Sequence, residues 1–302
     1  SDVCSSDLTN AVPAGKLVRC WLPYPRTDQT RQRDVKFISA SEPDYVLSPQ
    51  ECRHSTLYME KRAVQGEPTV FSETFEYTSC GEWHNLRAED VLPYDTTTAL
   101  YKEYTAEREK HIVFSPRLRE LAAKLTAGET NPYLKAKRIF RWINDHFPWA
   151  SAREYSTIEN IPEYVLDNRH GDCGQVSLLF ITLCRISGIP AHFQSGFMMH
   201  PRAWNLHDWA EVYFEGVGWV PVDQSFGIPA FARNADEEFF FLGGIDSWRM
   251  IVNTDYGMPL VPEKKYPRSE TVDFQRGEVE WEGGNLYFPQ WSYHMDIDYF
   301  NY

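Results

Sequence analysis

With 302 residues, 42% of them apolar, the chain is long enough to bury a sizeable core divided over two or three structural units. A formal net charge of -13 argues against nucleic acid or an anionic membrane surface as a partner, because those surfaces are met by clustered Lys and Arg. No run approaches the ~20 consecutive apolar residues that cross a bilayer, so no membrane span is expected, and small molecules, neutral polymers and basic peptides stay open as partners.

The first eight residues, SDVCSSDL, read as a translated fragment of a sequencing adapter joined to a metagenomic gene, and residues 1–8 are expected to be a cloning or assembly scar. Residues 9–98 follow as a β-rich domain of sandwich type. There "KLVRCWLP" alternates roughly, and "TVFSETFEY" sets Phe71, Phe75 and Tyr77 on one pleat face. Pro13, Pro23, Pro25, Pro43 and Pro49 punctuate this stretch.

The pattern turns helical within residues 99–230. "SPRLRELAAKLTAG" offers Ser115 as N-cap, Pro116 at the first helical position, Leu118, Leu121, Ala122 and Leu125 as an apolar stripe, and Gly128 as a stop. "NPYLKAKRIFRWINDHF" repeats the scheme with Asn131 and Pro132, then Tyr133, Ala136, Phe140 and Ile143. A polar, irregular link, "PWASAREYSTIENIPEYVLDNRHG", leads to "GDCGQVSLLFITLCRISGIP". Asp172 stands where an N-cap belongs and Gln175 completes a capping box, which puts Cys173 at the first helical position. That helix is apolar nearly all round, so it is expected to be central and buried, ended by Gly188 and Pro190. "HDWAEVYFE", a glycine turn and "WVPVD" then read as a hairpin. Residues 231–302 form a C-terminal β-rich extension. Its aromatics, Trp281, Tyr287, Phe288, Trp291, Tyr293, Tyr299, Phe300 and Tyr302, read as packing between strands rather than as a stacking platform.

Beyond the scar, Cys20, Cys52, Cys80, Cys173 and Cys184 contain no C-x-x-C pair, so neither a zinc ribbon nor a redox motif is indicated. Cys184 lies roughly 16 Å along the helix from Cys173, too far to share a metal with it and with His170 or His192, and reads as a small core hydrophobe. Cys173 differs. A thiol at a helix start faces the positive end of the helix dipole, which lowers its pKa and favours the nucleophilic thiolate. Such a nucleophile needs a base and a group that orients the base. His207 and Asp223 supply the residue types, and a hairpin turning about residue 215 would set them opposite each other on one face. A two-residue turn at Gly216-Val217 would set His207 opposite Phe226 instead.

These blocks resemble the core of the transglutaminase-like superfamily over roughly residues 100–230. The resemblance rests on Gly-x-Cys at a helix start, Leu-Cys-Arg-x-x-Gly-Ile-Pro at its exit, and His-x-Trp-x-Glu-x-Tyr leading through a glycine turn to Gly-Trp-x-Pro-x-Asp. It implies an α+β, papain-like core and acyl-transfer chemistry through a thioester, with Cys173 as nucleophile, His207 as base and Asp223 as the orienting carboxylate. It further implies an oxyanion site made by the Cys173 backbone N–H and a second donor, for which Trp149 and Gln175 are the candidates. One position departs from the pattern. Asp208 follows the histidine where a small residue is common, and is expected to point to the opposite pleat face in a structural role. The flanks do not match the large calcium-dependent animal enzymes, so no metal or cofactor is carried over. They are closer to bacterial multidomain members, which implies a periplasmic or secreted enzyme. The expectation is hydrolysis of amide or peptide bonds in a peptide or protein substrate. A protein-glutamine transamidase and a non-catalytic scaffold retaining the fold are the alternatives.

Overall fold

The computed structural model describes residues 2–7, 11–151 and 153–300. Seven strands come first: β1 (Asp2–Asp7), β2 (Leu17–Pro23), β3 (Gln32–Ala40), β4 (Tyr45–Leu47), β5 (Thr56–Arg62), β6 (Val70–Ser79) and β7 (Glu82–Trp83). Helices α1 (Ala99–Tyr104), α2 (Pro116–Leu125), α3 (Pro132–His146), α4 (Ile161–Asn168) and α5 (Cys173–Ile186) follow. The chain then runs through β8 (Ala191–Met198), β9 (Asn205–Phe214), β10 (Gly218–Val222), α6 (Ala235–Glu238), β11 (Gly244–Ile245) and β12 (Arg249–Asn253). It ends with β13 (Glu278–Trp281), β14 (Gly284–Leu286) and β15 (Trp291–Asp296). Two compact units result, one from Ser1–Cys80, Ser195–Leu206 and Trp248–Tyr302, the other from Gly81–Gln194 and His207–Ser247.

The first unit is a pair of antiparallel sheets, in strand orders β15-β1-β6-β3 and β14-β13-β2-β5-β4. Alternation explains its core: Phe71 and Phe75 turn inward from β6, and Val18, Cys20 and Leu22 from β2, into one shared apolar cluster. Tyr77, on the same pleat face, is only partly buried against it. The C-terminal strands build no sheet of their own. β13 pairs with β2 through Val279 opposite Cys20, and β15 pairs with β1. The expected scar is described from Asp2 to Asp7, where its backbone lies between β6 and β15, while Ser1 and Leu8 fall outside the described residues, as does Tyr302.

The second unit carries the helices. The Ser115 side chain accepts from the Leu118 N–H and starts α2, and Asn131 accepts from the Tyr133 and Leu134 N–H groups to start α3. α2 stops at Leu125, before Gly128, with Thr126 as its C-cap. The link expected to be irregular contains α4, begun by Asn160 and Pro162. Eight residues are too few to show a 3.6-residue period against a polar background. α2, α3 and α4 pack against α5, which is buried continuously from Gly174 to Arg185. Among the described residues no helix is long and apolar enough to cross a membrane.

The hairpin that follows α5 departs from both expected registers. Gly218 pairs with Phe214 and Val222 with Ala210, leaving residues 215–217 as the loop. Extending this register sets Asp223 across from Trp209, two residues along from His207, so the two functional candidates are diagonal rather than opposite neighbours. They keep the same face because the offset is even.

Candidate active site

Cys173 sits at the first position of α5, and both halves of the capping box are made. The Asp172 carboxylate accepts from the Gln175 N–H at 3.1 Å, and Gln175 Oε1 accepts from the Asp172 N–H at 3.2 Å. These two bonds fix where the helix begins and so where the sulfur is presented. Cys173 is half-buried and Cys184, eleven residues on, is fully buried.

The hairpin supplies the second part. His207 Nε2 lies 2.8 Å from Asp223 Oδ2. Asp223 is fully buried, its Oδ1 accepts from the Phe226 N–H at 3.0 Å, and its own N–H donates to the Phe241 carbonyl at 2.8 Å. A buried carboxylate with both oxygens engaged cannot swing away, so it holds the imbedded imidazole by one nitrogen. Phe226 meets the His207 ring edge to face at 5.3 Å, and Trp209, whose Nε1–H donates to Gln194 Oε1 at 2.6 Å, lies tilted to it at 6.0 Å.

His207 and the helix start belong to one electrostatic neighbourhood. Burial pushes the Asp172 carboxyl up, while the Tyr155 hydroxyl, backbone N–H groups and the His207 charge pull the other way. The nearest charged partner of Cys173 itself is Asp208, whose Oδ2 accepts from Sγ at 3.5 Å. Asp208, expected on the pleat face opposite His207, thus also meets the thiol directly. Strand alternation fixes the direction of Cβ but not which neighbouring groups come to meet the side chain, and here the Asp208 carboxylate meets the Cys173 sulfur and the Tyr155 hydroxyl. The Tyr155 hydroxyl is 2.6 Å from Asp172 Oδ1 and 3.3 Å from Asp208 Oδ2, so it bridges the two carboxylates beside the sulfur. Gly174 leaves room for this, since a Cβ there would come to 2.5 Å from the Tyr155 hydroxyl and 2.6 Å from Asp208 Oδ2.

The electrostatic outcome at the thiol also differs from the helix-dipole expectation. Burial pushes the Cys173 thiol well up, and the Asp208 and Asp172 carboxylates push it the same way. The positive helix end acts within a single turn and is opposed here by desolvation and two negative neighbours.

The two oxyanion candidates are placed differently. Gln175 is fully buried, its Oε1 belongs to the capping box, and its Nε2 is sealed from solvent. Trp149 is 60% exposed, its backbone bridges Gly171, and it lines a cavity of about 190 Å³ with Gly171, Val176, Gln224 and Ser225. Sequence reasoning missed Tyr155 altogether. It lies in the polar link, where no periodicity or cap singles it out.

The transglutaminase-like superfamily family model matches residues 119–224, which include the helix-start cysteine and the hairpin. The uncharacterized protein YebA of Bacillus subtilis is 26% identical over 37% of this chain, and a protein-glutamine gamma-glutamyltransferase of Pseudomonas aeruginosa is 23% identical over 38%. The chain spans only 18% and 19% of the lengths of these two relatives. Among solved structures, a candidate cysteine protease from Cytophaga hutchinsonii shares the fold with a TM-score of 0.55 at 15% identity, over 100% of this chain and 93% of that one. Residues 119–224, which hold α5 and the hairpin, thus match the transglutaminase-like superfamily.

Proposed function

We propose that the chain hydrolyses amide or peptide bonds in a peptide or protein substrate, with Cys173 as nucleophile, His207 as proton carrier and Asp223 as the carboxylate that orients it. The observation that carries this reading is the 2.8 Å contact between His207 Nε2 and a fully buried Asp223. With Nε2 committed to Asp223, proton exchange with the sulfur runs through Nδ1. The Cys173 sulfur attacks the substrate carbonyl carbon while its proton passes to the imidazole, and the carbonyl electron pair moves onto oxygen. The oxyanion collapses, the C–N bond breaks, and the imidazolium protonates the departing amine. Water then attacks the thioester, gives its proton to the imidazole, and releases the acid and the thiol. The Cys173 backbone N–H and Trp149 are the donors assigned to the oxyanion.

A peptide-library cleavage assay comparing the wild type with Cys173→Ala tests this. Removal of the nucleophile is expected to lower turnover by about 10⁴-fold or more with an unchanged thermal transition. Turnover that survives the substitution overturns the proposal. A second reading, acyl transfer to an amine, is favoured by the name of the Pseudomonas aeruginosa relative. It differs only in which nucleophile releases the thioester. Stable incorporation of a labelled amine into a glutamine donor, lost in Cys173→Ala, would establish it in place of hydrolysis.

A further inference from the structure

The groups that face Cys173 come from three elements: Asp172 from the α5 cap, Tyr155 from the link, and Asp208 from β9 beside His207, which is itself held by Asp223. We propose that Asp208 is a positioning residue that holds Cys173 as a protonated thiol in the unloaded site and thereby sets the pH range over which the nucleophile becomes available. This deepens the reading of Cys173 as the nucleophile and rests on it.

The geometry carries the inference. Asp208 Oδ2 receives the S–H at 3.5 Å, and Asp208 is 2% exposed, so a thiolate formed there would face a carboxylate with little intervening water. The Tyr155 hydroxyl has one proton to give, and its 2.6 Å contact directs that proton to Asp172 rather than to Asp208 at 3.3 Å. Loss of the sulfur proton thus sets two anions side by side, with the Asp172 carboxylate next in line. Burial and the two carboxylates oppose the thiolate, and against them stands a hydrogen bond from the Asp208 backbone, which favours it. A small residue after the histidine would remove the nearer of the two opposing carboxylates. Asp208 is therefore the local feature that turns a freely ionising cysteine into one whose ionisation is coupled to a neighbouring acid.

The test reads ionisation rather than turnover. The full chain is alkylated with iodoacetamide from about pH 5 to about pH 10, and the rate at Cys173 is followed by peptide mass spectrometry with Cys184 as internal reference. In the wild type the rate is expected to rise with an inflection above the ~8.5 of a free thiol. In Asp208→Asn, which keeps the shape and removes the charge, the profile is expected to move acidward by at least about one pH unit, a roughly tenfold gain in thiolate at fixed pH. Asp208→Ala is expected to move the same way. A merely structural Asp208 would lower the thermal transition and leave the profile in place. A wild-type inflection at or below about pH 7, or variant profiles that superimpose on the wild type, overturns the proposal. Should neither variant fold, the wild-type inflection alone decides. Because alkylation needs no substrate, loss of this proposal and loss of the hydrolase reading are separate outcomes.

Discussion

His207 and Asp223 stand sixteen residues apart in sequence and 2.8 Å apart in space, and their contact has a direction that substitution can reverse. Asp223→Asn keeps the size of the side chain but offers an amide N–H in place of one carboxylate oxygen, so it favours the wrong imidazole tautomer. A fall of roughly 10³- to 10⁴-fold in kcat/KM is expected, with the thermal transition little changed. An Asn variant as active as the wild type would remove Asp223 from the reaction. Gly174 is the complementary case, because its importance lies in what it lacks. Gly174→Ala drives a methyl against the Tyr155 hydroxyl and the Asp208 carboxylate, and is expected to cost about 1–3 kcal/mol in urea unfolding. A cost below about 0.5 kcal/mol would mean that the Tyr155–Asp208 bridge yields freely.

At the scale of elements, α4 is tied down by an unusual partner. The buried His111 accepts the Ile161 N–H on Nδ1 at 3.2 Å, so its ring must be neutral to do so. Burial, with Lys110 acting the same way, holds the His111 pKa down at about 4 against an ordinary 6.5. A folded-state value below the unfolded one means that this stability is fully present above about pH 6.5 and is lost as pH falls through about 4. The loss amounts to at most about 3 kcal/mol. Urea unfolding followed from neutral to mildly acidic pH is expected to show this decline. His111→Asn retains an acceptor without titrating and should flatten it, whereas parallel curves for the two proteins would show that His111 is not the linked group. α5 is the contrasting element. Asp172 and Gln175 write its start in four consecutive residues, and its apolar run writes its burial, so its position and environment are both local information.

Across the whole molecule, the two ends of the chain share sheets. Removal of residues 277–302 deletes β13, β14 and β15, exposing the β2 edge that Val279 covers and the β1 edge that β15 covers. The first unit is then expected to lose its cooperative core, seen as lost hydrogen-exchange protection at Met59 and Phe75. Retained protection there would show that the remaining strands suffice. The sequence carried what is decided within about one helical turn or one pleat. The caps at Ser115, Asn131 and Asp172 and the seat of Cys173 at a helix start follow from neighbours a few residues away. The tertiary structure alone decided the 215–217 loop, the pairing of β13 with β2, and the meeting of Tyr155 and Asp208 around the sulfur. Those depend on which distant surfaces bury each other, a choice made by the free energy of the whole core and written in no single stretch of the chain.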